Sequence, residues 1–230
     1  MDTIKHHEVF DHAKVDGKIA IAGVGALGSA LALQLVKLGM SDILLFDPDT
    51  IEAHNIPNQV LYGPVDVGKP KVEMASYMLR TLSSCEPKWH ITKLPPKNIL
   101  KSFGVKHVFV CVDSMAARNQ IWQDSVYMNP ALETYTEGRM GARAVSMFGF
   151  DPKDIGRARA YKEHHLYSDE EVVFDKAACG TIMSIGATAM MLACSMTWHF
   201  MDTIMGRIPT FDELSYDTSN MSVHHMGKLT

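Results

Sequence analysis

The chain has 230 residues, of which 47% are hydrophobic and 21% are charged, and its formal net charge is −4 with histidine counted as neutral. These values are ordinary for a globular protein and predict one large domain, or one domain with a substantial extension. The sequence contains no long basic run, which argues against nucleic acid as the main partner. The longest apolar stretch, residues 182–205, is interrupted by polar side chains, so it favours a buried or interface helix over a membrane span.

Four cysteines occur in the sequence, and none of them are spaced as C-x-x-C. This spacing argues against a structural zinc site, so no zinc is expected. Such cysteine usage is typical of a reducing compartment, and we expect a cytoplasmic protein.

The first half of the chain has the pattern of a nucleotide-binding α/β unit. Residues 18–22 form a short apolar run that predicts a buried parallel strand, and residues 27–38 follow with helical spacing. A second apolar run, residues 43–46, completes a strand–turn–helix–strand unit. Further helices are predicted over 71–82 and 114–124, and further strands over 89–92 and 108–112.

The second half shows weaker patterns. Residues 142–150 alternate like a strand, residues 156–176 are charged and indicate a mobile loop, and one long helix is predicted over 181–205. The six methionines of that helix suit core or dimer packing. The last twenty or so residues are polar, and we expect them to be partly disordered or bound to a partner.

These elements predict an α/β fold with a Rossmann-like mixed, mostly parallel sheet flanked by helices and a C-terminal strand, loop and long-helix extension. We expect a single domain over residues 1–230. Its parts would be a nucleotide-binding half (18–125), a substrate or dimer half (126–210) and a tail (211–230).

A G-x-G-x-x-G sequence joins the first strand to the first helix. In such a loop Gly23 makes the tight turn, Gly25 lets phosphate approach the backbone, and Gly28 lets the helix pack closely on the strand. The helix begins near Ala26 and Leu27, where free N–H groups and the positive end of the helix dipole favour an anion. The loop therefore predicts a phosphate site.

Asp47 follows Gly28 by 19 residues, at the end of the second strand, and is placed for a ribose hydroxyl. The loop and this acid alone also fit a nicotinamide-dependent oxidoreductase. Three further charged residues have no purpose in such an enzyme, namely Asp49, Lys71 and Asp113.

The order of these motifs resembles the ThiF/MoeB family, whose adenylating fold is shared with ubiquitin-activating enzymes. The resemblance covers residues 18 to about 125, and the C-terminal half matches more loosely. Its motifs after the glycine loop are Asp47-Pro48-Asp49, the segment Asn55 to Gln59, Gly68-Lys69-Pro70-Lys71, and Asp113-Ser114 followed by Arg118.

The resemblance implies ATP and Mg²⁺ as cofactors. It implies that the C-terminal carboxylate of a small ubiquitin-like protein ending in glycine attacks the α-phosphate, which gives an acyl-adenylate and pyrophosphate. It also implies a homodimer, for which the long helix is a candidate interface.

The resemblance assigns roles to individual residues. Lys71 would neutralise charge on the phosphates, unless it is a solvated helix lysine. Asp113 would hold magnesium, unless it caps the following helix. Asp47 would bind ribose, and Asp49 would shape the site or assist with the metal.

Asn55 and Gln59 would contact phosphate, or else satisfy the backbone of their own loop. Between them, Asn58 stands where the family pattern N-x-x-R-Q has an arginine, and an amide cannot bring positive charge. The charge could come from Arg118, Arg139 or Arg143 instead. The N-terminal arginine that the family supplies to the partner subunit has no clear match, and residues 5–7 lie roughly there.

Cys179 lies just before the long helix, where the family can place an acceptor thiolate for sulfur transfer or conjugation. The helix N-terminus would lower the pKa of that thiol, whereas the alternative is a small packed side chain. The substitution at Asn58 also leaves open a non-catalytic, nucleotide-binding subunit. The adjacent His164 and His165 are expected to be solvated loop residues rather than metal ligands.

Overall fold

The computed structural model describes residues 3–83, 85–141, 144–168, 170, 186–207, 209 and 211–230. The strands are β1 (Lys18–Ala22), β2 (Ile43–Phe46), β3 (Lys88–His90), β4 (Val105–Val110), β5 (Thr134–Met140), β6 (Ala144–Phe150), β7 (Glu213–Asp217) and β8 (Ser222–Gly227). The α-helices are α1 (Ala26–Lys37), α2 (Lys71–Leu82), α3 (Lys97–Phe103), α4 (Met115–Ile121), α5 (Ile155–His165) and α6 (Gly186–Ile204). A turn of π-helix, Trp122–Val126, continues α4.

The described strands form one sheet in the order β3-β2-β1-β4-β5-β6-β7-β8. The first five run parallel to their neighbours, and β6, β7 and β8 add to β5 in antiparallel fashion. From β1 the strand order runs outward through β2 to β3, and it then continues with β4 on the other side of β1. The point where the strand order reverses is therefore between β1 and β4. In open α/β sheets ligands bind outside the carboxyl ends of the strands at such a point, so the topology places the glycine loop at the expected edge.

Helices cover both faces of the sheet. On one face Ile19 and Ile21 of β1 belong to a core that includes residues of α1, α2 and α6. On the other face Ala20 and Ala22 belong to a second core with α3, α4, α5 and a group of large aromatic side chains around Trp122. The predicted α/β fold with a mostly parallel mixed sheet is therefore confirmed.

The prediction of a mobile loop over 156–176 is wrong for its first part, which is the helix α5, whereas residues 171–176 lie outside the described part of the chain. The carboxylate of Asp154 accepts a hydrogen bond from the N–H of Arg157 (3.1 Å) and so caps the helix. The helix is anchored because Tyr161 is fully buried beside Trp122. His165 lies at the end of this helix and is only partly exposed, with Nε2 3.5 Å from Glu213.

The polar tail forms regular structure, unlike the first of the two expected states, partial disorder; the second, binding to a partner, stays a prediction. Its residues form the hairpin of β7 and β8, which extends the sheet beyond β6. Leu214 and Tyr216 bury one face of β7 in the core, whereas β8 is mostly exposed. The side chain of Asp217 accepts the N–H of Ser219 (2.7 Å) in the turn. Every second side chain of β7 is thus buried, and this burial stabilises the hairpin although the composition of the tail is polar.

The long helix is observed over Gly186–Ile204, and the start of its predicted range, 181–185, lies outside the described residues. Two described elements had no sequence prediction, β5 and α3. None of the described helices combines the length and apolar character that a bilayer crossing requires.

Candidate active site

The three motif glycines meet different surroundings. A Cβ on Gly23 (φ +85°) would lie 2.9 Å from the carbonyl oxygen of Cys111, and one on Gly28 would lie 1.9 Å from the carbonyl oxygen of Gly23. A Cβ on Gly25 would meet only Nε2 of Gln59, at 3.8 Å. The protein itself therefore requires glycine at positions 23 and 28. Position 25 borders open space, which is the arrangement expected if a ligand approaches the backbone there.

Two buried side chains fix the backbone of Val24 inside this loop. Its N–H donates to Oδ2 of Asp47 (2.8 Å), and its carbonyl accepts from the hydroxyl of Tyr62 (2.7 Å). Oδ1 of Asp47 accepts the N–H of Asp49 (2.9 Å). Burial raises the pKa of Asp47, against the opposing effect of these hydrogen bonds and of Lys71. Asp47 thus shapes the loop, and its contact with ribose stays a prediction.

Tyr62 is a residue that the sequence motifs did not indicate. Burial raises the pKa of its hydroxyl well above the ordinary value, and the nearby charge of Asp47 adds to this effect. The hydroxyl is therefore neutral at physiological pH and keeps its proton, with which it donates the hydrogen bond to the carbonyl of Val24. A tyrosine after the segment 55–59 carried no recognisable signal, because its role depends on a carbonyl 38 residues away.

Lys71 is the first residue of α2, and its side chain is 10% exposed. Its Nζ lies 2.9 Å from Oδ2 of Asp49, whose side chain is 62% exposed. The structure thus joins two predicted site residues that are 22 positions apart. Lys71 is not the solvated helix lysine of the alternative interpretation. Its neighbour Lys69 pairs separately with Asp66, at 3.1 Å.

The segment 55–59 lies beside the loop and is largely buried. Oδ1 of Asn55 accepts the N–H of Glu52 (2.9 Å), so this amide stabilises its own turn, as the alternative interpretation proposed. Gln59 is buried, its Nε2 faces Gly25, and its Oε1 has no hydrogen-bond partner within the described part of the chain. Such an amide fits a ligand that completes its hydrogen bonding.

Asp113 follows β4 and is exposed at the same edge of the sheet as the glycine loop. The cap of α4 is its neighbour Ser114, whose hydroxyl accepts the N–H of Ala117 (3.2 Å). Asp113 is thus not the helix cap, and its carboxylate faces solvent. Magnesium is usually held by one or two protein carboxylates together with phosphates, so one such acid fits the ion. No cluster of three or more metal-ligating side chains occurs among the residues that the structure describes.

Arg118 does not provide a free charge. It is buried, and its Nη1 binds Oε1 of Glu137 (2.8 Å) and the carbonyl of Gly138 (3.1 Å), while Nη2 binds the carbonyl of Val112. It therefore ties the chain just before Asp113 to β5. The suggestion that this arginine replaces the missing triphosphate arginine is not supported by these contacts.

Glu137 is 0% exposed and collects four donors: Arg118, Arg139 and the hydroxyls of Tyr135 and Tyr161. Burial alone would raise its pKa, but the two guanidinium groups and the hydrogen bonds lower it to about 2. The second guanidinium, of Arg139, is therefore also engaged inside the protein.

Three further parts of the predicted site were Arg143, Cys179 and the charge expected at residues 5–7. Arg143 and Cys179 lie outside the described residues. Thr3 and His12 pack near Gly39, just beyond the C-terminal end of α1. Residues 5–7 therefore lie near the end of α1 that is opposite to the glycine loop, about 18 Å away along a helix of this length.

Comparison with known proteins identifies the family of the chain. The ThiF family profile matches residues 11–228. The chain belongs to the ThiF family. Among ThiF-family relatives, the molybdopterin-synthase adenylyltransferase of Salmonella typhimurium is 26% identical over 218 residues, which cover 90% of this chain and 84% of that protein.

A second relative is the adenylyltransferase and sulfurtransferase uba4 of Emericella nidulans, 34% identical over 134 residues. The match covers 54% of this chain and 27% of the fungal protein, so the chain spans about a quarter of that relative. A crystal structure of E. coli MccB with ATP has a TM-score of 0.67 and 17% identity, with 94% of this chain and 66% of that chain covered. This likeness concerns the fold alone.

Proposed function

We propose that this ThiF-family chain adenylates a carboxylate, with ATP as the nucleotide. The observation that carries the proposal is the open position at Gly25, beside the buried amide of Gln59. Asp47, which holds the N–H groups of both Val24 and Asp49, links this loop to the Asp49–Lys71 pair. Membership of the ThiF family removes the alternative of a nicotinamide-dependent oxidoreductase.

The chain's own residues have separable tasks in this proposal. The backbone N–H groups at the start of α1 bind phosphate, since the first turn of a helix leaves its N–H groups without intrahelical acceptors. Lys71 offsets the negative charge that leaves with pyrophosphate. Asp113 would hold Mg²⁺, with Asp49 assisting, and the ion would add positive charge at the phosphates.

The acceptor that we propose is the C-terminal carboxylate of a small ubiquitin-like carrier protein ending in glycine. A carboxylate oxygen forms a bond to the α-phosphorus, and the bond between that phosphorus and the bridging oxygen to the β-phosphate breaks. The products are an acyl-adenylate and pyrophosphate. Adenylation by the Salmonella relative, as its name states, supports this chemistry.

A homodimer belongs to the proposal. Residues 5–7 lie away from the glycine loop of their own chain, so any charge they supply would serve a second subunit. Transfer to Cys179 or sulfur transfer after adenylation remains a prediction from the resemblance.

A second candidate function is a nucleotide-binding subunit without catalysis. It is favoured by Asn58 in place of the family arginine, together with the engagement of Arg118 and Arg139 at Glu137. In that case Lys71→Ala and Asp113→Ala would leave the activity of the partner unchanged.

The test is ATP–pyrophosphate exchange with candidate carrier proteins and Mg²⁺. Adenylation predicts exchange that depends on the carrier, is lost in Lys71→Ala and is retained in Cys179→Ala. Exchange that is lost equally in both variants would contradict the separation of the two steps. If ATP binds but no carrier supports exchange, the proposed reaction is wrong.

A further inference from the structure

The ammonium group of Lys71 already has a counter-ion. Its Nζ is 2.9 Å from Oδ2 of Asp49, although the site has an open position for phosphate at Gly25. The lysine is largely buried and the acid mostly exposed, so solvent can reach the pair from the side of Asp49. An incoming polyanion would therefore meet a lysine whose charge is offset by a carboxylate.

The backbone around this pair is held firmly. The N–H of Lys71 donates to the carbonyl of Asp49 (3.0 Å), and the N–H of Ile51 donates to the carbonyl of Lys69 (2.9 Å). Asp49 is also tied through its own N–H to Asp47. The two segments consequently stay together when the ion pair opens, and the change is limited to side-chain rotation.

We propose that the Asp49–Lys71 ion pair makes the site discriminate against nucleotide that arrives without a divalent cation. Lys71 can give its full charge to a phosphate only when Asp49 has found another cation. A metal-free nucleotide brings negative charge alone and must pull Lys71 away from an acid that is left uncompensated. The inference deepens the proposed function and rests on it, because it takes Lys71 as a phosphate ligand.

The pair also has a matched control nearby. Asp66 and Lys69 form a similar ion pair at 3.1 Å in the same connection. Removal of either acid makes the surroundings less negative by one charge, but only Asp49 contacts Lys71. Asp66→Asn therefore separates a general change of potential from release of the lysine.

The experiment measures the dissociation constant of ATP by calorimetry, once with excess EDTA and once with Mg²⁺. In EDTA, Asp49→Asn is expected to bind ATP about twofold to fivefold more tightly than the wild type, the range for opening a partly exposed ion pair. The ratio of the two constants, EDTA over Mg²⁺, should fall by at least the same factor. Asp66→Asn should leave this ratio unchanged.

A double-mutant cycle then tests whether the gain passes through Lys71. In the Lys71→Met background, Asp49→Asn should gain less affinity for metal-free ATP than it does in the wild type. An equal or larger gain there, or no gain in the wild type, would overturn the inference while leaving ATP binding itself established. If the wild type binds ATP in neither condition, the proposed function fails as well. Thermal unfolding of each variant confirms that it is folded.

Discussion

Replacement of Gly25 and Gly28 by alanine should separate binding from folding. In Gly28→Ala the new methyl carbon would lie 1.9 Å from the carbonyl oxygen of Gly23, which is backbone and cannot rotate away. Overpacking of this kind costs about 1–3 kcal/mol, and the better helix propensity of alanine returns at most about 1 kcal/mol. The free energy of unfolding should therefore fall clearly.

Gly25→Ala should behave in the opposite way. Its φ of −71° lies outside the left-handed region that requires glycine, and the nearest atom to the methyl would be at 3.8 Å, an ordinary contact. The smaller entropy of the unfolded chain offsets the loss of glycine as a helix cap, so stability should change by less than about 1 kcal/mol. The methyl group stands where phosphate would approach. Loss of one charge-assisted hydrogen bond costs about 1.5–3 kcal/mol, which weakens ATP binding roughly tenfold or more.

The assay combines urea unfolding with calorimetric titration of ATP for both variants. The expected pattern is a stable Gly25→Ala protein that binds ATP poorly and a destabilised Gly28→Ala protein. If Gly25→Ala binds ATP as the wild type does, the open position at this glycine does not receive phosphate. If it unfolds as readily as Gly28→Ala, the distinction drawn from the geometry is wrong.

Three further outcomes are expected. Glu137→Gln should lower the free energy of unfolding by about 3–5 kcal/mol in urea titrations, because it leaves buried arginines without a counter-charge. The control Glu133→Gln, at an exposed ion pair, should change it by less than about 1 kcal/mol. Tyr62→Phe should clearly raise the dissociation constant of ATP and lower the melting temperature only slightly, because it removes a hydrogen bond to the glycine loop. An unchanged dissociation constant would argue against this role. The free energy of unfolding should fall as the pH drops below about 6.5, because burial lowers the pKa of His107 and of His199 and the unfolded chain then binds more protons than the folded one. A urea midpoint that stays constant between pH 7.5 and 5.5 would contradict this direction.

Most of the first half of the fold was predictable because β1, β2 and β4 are apolar runs and the turn after β1 carries glycine. In the second half β6 and the long helix were predicted, but β5, α5 and the hairpin of β7 and β8 were not, because their decisive contacts join distant residues. Strand β5 contains Glu137, an acid of a type that is usually exposed. It is buried here because Arg118, 19 positions away in the sequence, neutralises its charge. His107 of β4, in the first half, shows the same effect: it is fully buried because Asp16 and Thr134 satisfy its two ring nitrogens.

The candidate site shows the same division. The spacing of motifs indicated Asp47, Asp49 and Lys71, and the structure places them in contact with the loop or with each other. The engagement of Arg118 could not be read from the sequence, because its acceptors include a backbone carbonyl and a buried glutamate on β5. The role of Tyr62 was hidden for the same reason.

Transfer of the adenylyl group to a carboxylate can be followed with labelled ATP. The protein is incubated with a Gly-ended carrier and with ATP that is labelled in either the α- or the γ-phosphate. The α-label is expected to join the carrier and the γ-label to be released as pyrophosphate, and both changes should be lost in Lys71→Ala. Transfer of the γ-label, or no transfer to any carrier by a protein that binds ATP, would contradict it.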